Sequence, residues 1–186
     1  MPSQNRTTSL RRLTVCALFA AILCVLSPIA IPIGPIPISL GLLGVLLTAA
    51  TLSPAMSFSA VAVFVALGVC GLPVFSGCGS GAMVLVGPTG GYLWCYLLAA
   101  PLVSFLCKNK FSFLRTAVAC LAGTLLCYTC GTLQYMLLTD LKILPALLIT
   151  VLPFLPFDIL KSLLAAHLSK LLKKHLQNLI YFRSNS

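Results

Sequence analysis

Residues 38–72 read ISLGLLGVLLTAATLSPAMSFSAVAVFVALGVCGL, with no charged side chain anywhere in the stretch. Ser53-Pro54 divides it, because proline ends one helix and suits the first turn of the next. The reading is two apolar helices, about 38–52 and about 55–72, joined by a tight turn. A helix that is apolar all round belongs in a deep core or in lipid. A span needs roughly 20 apolar residues, with about 17 to 25 tolerated. The first of the two is short by that measure and draws on the loop before it.

The pattern repeats outward in both directions. Four further apolar segments are expected, at about 10–30, 90–107, 113–138 and 156–172, which makes a six-helix bundle in a single membrane domain. Between them, Ile31-Pro32-Ile33-Gly34-Pro35-Ile36-Pro37 cannot be regular helix. It is uncharged, so it reads as a tucked loop lining a cavity. Residues 73–89, rich in glycine and bounded by prolines, form the longest break. The segment 143–155 is apolar but holds Pro145 and Pro153, and is expected to be a short helix followed by a bend. The basic tail 173–186 is expected to lie on the membrane surface.

Composition agrees. The chain is 60% hydrophobic and 8% charged, with a mean hydropathy of +1.10; ordinary soluble domains are roughly 25% charged. Twelve Lys and Arg against two acids give a net charge of +10. This excess does not point to nucleic acid, because it sits at the chain ends and in one central loop. Six spans put Arg6, Arg11, Arg12, Lys108, Lys110, Arg115, Lys170, Lys173, Lys174 and Arg183 on one side, leaving Lys142 and Lys161 toward the other. Basic residues collect on the cytoplasmic side and attract anionic lipid headgroups. Both termini are therefore expected in the cytoplasm of a multi-pass cell-membrane protein. The same parity sends the proline-rich first loop, the glycine-rich third loop and the run before the last span to the outer face.

Nine cysteines lie mostly inside apolar runs, where they pack as small apolar residues. Cys127 and Cys130 form a C-x-x-C with no second pair or histidine nearby, so no metal or cofactor site is expected. No G-x-x-x-x-G-K-[ST] occurs, so the chain has no ATP-binding loop of that kind.

The strongest chemical signal is Asp158 with Lys161. Three apart at a helix start, they share a face, and ionisable groups at membrane depth are costly. They read either as a neutralised pair that locks the helix or as partners for a solute's polar groups. The second signal is Gly87-Pro88-Thr89-Gly90-Gly91-Tyr92. Thr89 suits an N-cap, and Gly90 and Gly91 either expose backbone N–H groups to an anion or merely allow a tight turn. A third is Ala17-x-x-x-Ala21 in the first span, a spacing that permits close helix packing, within the chain or against a partner.

Four motifs in order carry a resemblance: Ile33 to Leu40, Gly71 to Phe75, Gly87 to Leu93, and Leu152-Pro153-Phe154-x-Pro156-x-Asp158-x-x-Lys161. Together, over roughly residues 13–172, they closely resemble BioY, the biotin-specific substrate-binding (S) component of energy-coupling-factor (ECF) transporters. The resemblance implies an S-component fold that holds biotin near the outer face under the first and third loops. It implies polar contacts from Asp158 and Lys161, a wall from Thr89, Gly90, Gly91 and Tyr92, and further contacts from Pro35, Ser39, Phe75 and Gly79. It implies that Ala17 and Ala21 dock a transmembrane coupling subunit, which two cytoplasmic ATPase subunits serve. Gly41 stands where family members often carry glutamine and Phe157 where glycine is common; both bear on affinity and on the exact ligand.

The expected function is thus capture of biotin for ATP-driven import, with no enzymatic activity and no cofactor. A stand-alone carrier using Asp158 as a proton site is the alternative. A membrane enzyme lacks a nucleophile–base set.

Overall fold

A computed structural model of the chain describes residues 3–32, 36–107 and 112–180, with side chains from 9 to 174 in those ranges. Pro35, Lys108, Lys110 and the end of the basic tail lie outside the described residues. The elements are α1 (Ser3–Leu26), β1 (Ala30–Ile31), β2 (Ile38–Ser39), α2 (Gly41–Thr51), α3 (Pro54–Val69), α4 (Met83–Val86), α5 (Gly90–Leu106), α6 (Phe113–Thr139), α7 (Ile143–Thr150) and α8 (Leu155–Ile180), with a 3-10 turn at Ser76–Cys78.

The chain is predominantly helical, and it departs from an all-helical reading in the first loop. There, β1 and β2 pair antiparallel, Ala30 opposite Ser39 and Ile31 opposite Ile38. Proline excludes helix from this segment but permits a short extended pair. The helix boundaries also differ from the expected ones. α1 begins at Ser3 and stops at Leu26, and α8 runs on to Ile180 without a break at 172, since nothing between Leu155 and Ile180 interrupts helix after Pro156.

α2 is the centre of the bundle, with nine of its eleven residues buried, and Val45, Leu46, Ala49 and Ala50 fully enclosed. Around it pack α1, α3, α5 and α8. α5 lies close along α6 because Gly123 leaves room: a Cβ there would meet Val103 at 2.4 Å. The last helix shows one inward stripe, Asp158, Lys161, Ser162, Ala165, Ala166 and Ser169, at the three-and-four spacing of a helix face. Outward faces carry Leu13, Leu98, Phe105, Leu125 and Leu137 in the open. An apolar exterior around a core that holds the polar groups is the arrangement lipid requires and water forbids.

By length and composition, Ser9–Leu26 of α1 and all of α6 suffice to cross a membrane alone. α7 and α8, bent by 53° at Val151–Phe154, qualify as one broken span. α2, α3 and α5 are apolar but shorter, at 11, 16 and 17 residues.

Candidate functional site

The first turn of α8 carries the chemistry. Pro153 and Pro156 stop α7 from continuing into α8, and the resulting bend aims the start of α8 into the bundle. Asp158 and Lys161 then fall on its inward stripe. Lys161 Nζ donates to Asp158 Oδ1 at 2.8 Å, and both side chains are more than nine-tenths buried. The same ammonium donates to the Ser39 carbonyl at 2.8 Å, tying α8 to β2. The Tyr128 hydroxyl of α6 donates to Asp158 Oδ2 at 2.8 Å. Both carboxylate oxygens therefore have donors. A buried charge pair persists only when its remaining lone pairs and protons are met in this way.

These groups border a partly open hollow of about 580 Å³, lined by polar and aromatic residues at one end (Ser39, Tyr128, Asp158, Lys161) and apolar ones such as Leu42, Leu93 and Phe154 elsewhere. That space includes the part open to solvent at the mouth. Its lining comes from the segment around β2, the start of α2, the third loop with α5, the middle of α6, and the α7–α8 bend with the start of α8.

The expected site residues divide. Asp158, Lys161, Thr89, Tyr92, Ser39 and Phe75 all line the hollow. Pro35 lies outside the described residues. Gly79 is half-buried and does not line it, because its segment turns back so that its carbonyl accepts from the Phe75 N–H at 3.0 Å.

Gly90 and Gly91 act through their lack of a side chain. A Cβ on Gly90 would meet the Leu85 carbonyl at 1.9 Å, and one on Gly91 the Cys130 carbonyl at 2.5 Å. The Gly90 N–H donates to Gly87 at 3.0 Å and the Tyr92 N–H to Thr89 at 3.2 Å. Those amides are occupied in the turn rather than open to an anion. Thr89 precedes α5 but makes no side-chain cap, since its backbone is already helical there.

Sequence reading missed Tyr128, Tyr96 and Cys127, all of which line the hollow. Tyr128 had one signal available, a hydroxyl in the middle of an apolar helix, which needs a partner when buried. Cys127 of the C-x-x-C lies on the wall itself. Of the two departures, Phe157 faces outward, 45% exposed, away from the hollow. Gly41 is buried at the start of α2, where a Cβ would meet Ser27 Oγ at 2.9 Å and Ser39 Oγ at 3.1 Å. Its N–H donates to Ser39 Oγ at 3.1 Å. Glycine thus leaves room for the Ser39 side chain on the wall of the hollow. Ala17 and Ala21 are exposed on the outer side of α1, with Ala20 buried between them. Among the described residues no cluster of three His, Cys, Asp or Glu side chains could hold a metal ion.

An apolar helical bundle with a buried charged pair on the wall of a partly open hollow is the architecture of a membrane protein. The chain belongs to the BioY family, whose sequence model matches residues 1–178. It is 41% identical over 136 residues to "Biotin transporter BioY2" of Lactococcus lactis subsp. cremoris (strain MG1363), covering 73% of this chain and 75% of the relative. It is 40% identical over 122 residues to "Biotin transporter BioY" of Thermotoga maritima, covering 66% and 72%. Its fold is similar to a crystal structure of the S-component for biotin from an ECF-type ABC transporter, with TM-score 0.85, 27% identity, and coverage of 94% and 95% of the two chains. The family is one of transport proteins, not enzymes.

Proposed function

We propose that this chain is the biotin-capturing subunit of an ECF-type vitamin importer. The observation that carries the reading is the buried Asp158–Lys161 pair on the wall of an otherwise largely apolar hollow. Biotin offers matching chemistry. Its cyclic urea has two N–H donors and one carbonyl on an apolar bicycle, and its tail ends in a carboxylate. Asp158 accepts N–H, Lys161 donates to an oxygen, and Leu42, Phe75, Leu93 and Tyr96 cover the apolar body. Membership of a family with biotin transporters among its named members supports the same ligand.

In this reading six helices (α1, α2, α3, α5, α6 and the α7–α8 pair) cross the cytoplasmic membrane, with both termini inside and the hollow toward the outer face. Irregular flanking segments complete the short spans. They are tolerated at membrane depth because they line the cavity. The exposed Ala17–Ala21 face of α1 docks the transmembrane coupling subunit, and two cytoplasmic ATPase subunits supply the energy. A stand-alone proton carrier fits less well. Asp158 already accepts from Lys161 and Tyr128, and protonation would leave a buried ammonium without its counter-charge.

The test is titration of the purified full chain with biotin and desthiobiotin, beside Asp158→Asn. Tight binding by the native chain and at least tenfold weaker binding by the variant are expected. No binding of either ligand by folded native protein would overturn the proposal.

A further inference from the structure

Gln134, on α6, touches no part of the hollow, yet its side chain reaches into the loop that forms one wall. Its Nε2 donates to the Leu85 carbonyl at 2.9 Å and to the Gly87 carbonyl at 2.8 Å. α4 is a single turn, Met83–Val86. The last carbonyls of any helix lack intrahelical donors, and a side-chain amide has two N–H donors to offer. One side chain of a long, well-packed helix thus caps an element too short to hold itself.

The surroundings are shaped to that contact. Gly90 and Gly91 have no Cβ, and a Cβ on either would press on Gln134, at 2.5 Å from Nε2 and 2.9 Å from Cβ respectively. One turn earlier on the same face of α6, Gly131 receives the Tyr92 ring, which a Cβ would meet at 2.3 Å. The Tyr92 hydroxyl donates to the Thr150 carbonyl of α7 at 2.9 Å. The other end of the third loop is held separately. Gly81 N–H donates to Gly68 O at 2.7 Å, and Phe75 packs edge-on against Phe64, ring centres 5.7 Å apart. Of the residues that line the hollow, Phe75 and Ser76 lie at the first of these anchors along the chain, Thr89 lies two residues past the second, and Tyr92 stands in the first turn of α5.

We propose that Gln134 is a positioning residue for ligand retention: a side-chain clamp that holds the third loop closed over the hollow through the carbonyls of Leu85 and Gly87. This rests on the biotin reading only for its ligand. Releasing the clamp lets the wall swing, which speeds ligand escape while the helices beneath stay packed.

The experiment uses the full chain in detergent, with Gln134→Leu (no donors), Gln134→Asn (an amide one methylene short) and Gln134→Lys (donors restored on a different shape). The first two are expected to release biotin roughly tenfold faster, as loss of two neutral hydrogen bonds allows, with the melting temperature unchanged. Gln134→Lys is expected near the native rate. Cys78 is exposed in the same loop, so its rate of maleimide modification in ligand-free protein, located by peptide mass, gives a second readout. It should rise several-fold in the Leu and Asn variants and not in the Lys variant. Native release and labelling rates in Gln134→Asn, or a Lys variant as fast as the Asn one, would overturn the clamp. If the native chain binds no biotin, the transport reading falls instead, and Cys78 labelling alone decides the clamp.

Discussion

At the scale of single residues, the site is a chain of mutual dependence. The two Asp158 oxygens accept from Lys161 and Tyr128, and Lys161 donates both to Asp158 and to the Ser39 carbonyl. Removing either charge outright strands the other, at about 3–5 kcal/mol for a buried pair. Tyr128 is the informative place to probe, because its hydroxyl can be deleted without opening a cavity. Tyr128→Phe is expected to fold, and to weaken biotin binding roughly tenfold as one hydrogen bond to a charged acceptor is lost. Calorimetric titration checks this, and unchanged affinity would show that Asp158 does not depend on the phenol. The pairing of Asp158 with Lys161 was legible from three-residue spacing alone. Ser39 was expected at the site, but its bond to Lys161 and that of Tyr128 to Asp158 were not legible, because those partners stand 122 and 30 residues apart.

At the scale of elements, glycine and alanine decide how close the helices come. Gly91 and Gly131 let α5 meet α6, and Gly44 admits Leu23 of α1, which a Cβ would meet at 2.9 Å. α1 is otherwise peripheral: only 17% of its Ser9–Leu26 window is buried, against 50% for α6. A helix so loosely held by its own chain has a long apolar face free for a neighbour, with Ala17 and Ala21 on it. Replacing both by Trp should leave biotin binding by the isolated chain within about twofold, since neither residue lines the hollow. Uptake by cells supplying the coupling subunit and ATPases should fall at least tenfold, because bulk on a small-residue face blocks close packing. Uptake at the native rate would remove α1 as the docking helix. The apolar stretches and the proline breaks between them could be read from composition, as could the short helix before the bend. The strand pair β1–β2 could not, since two-residue strands leave no periodic pattern.

For the whole molecule, orientation carries the functional claim. The proposed arrangement of six crossings with cytoplasmic termini predicts that the turn at Asp140–Lys142 faces outward. Lys142 is exposed there. In intact cells, a Lys142→Cys variant on a background lacking the exposed native thiols should be labelled by a membrane-impermeant maleimide, and a cysteine near the C-terminus should not. The opposite pattern would invert the molecule and put the hollow on the wrong side for capture.

What the amino-acid order determined unaided was the solvent and the punctuation. Apolar length demands lipid, and charge placement follows from the rarity of ionised groups. Proline and glycine mark where helix must stop. What only the tertiary structure decided was which distant groups share a hydrogen bond. That is how the Gly90 N–H came to be taken up by the Gly87 carbonyl, and how Gln134 came to donate to a carbonyl 47 residues away. Local pattern is written in spacing along one helix. A partner across the bundle is chosen by packing, and packing has no signature in a single sequence.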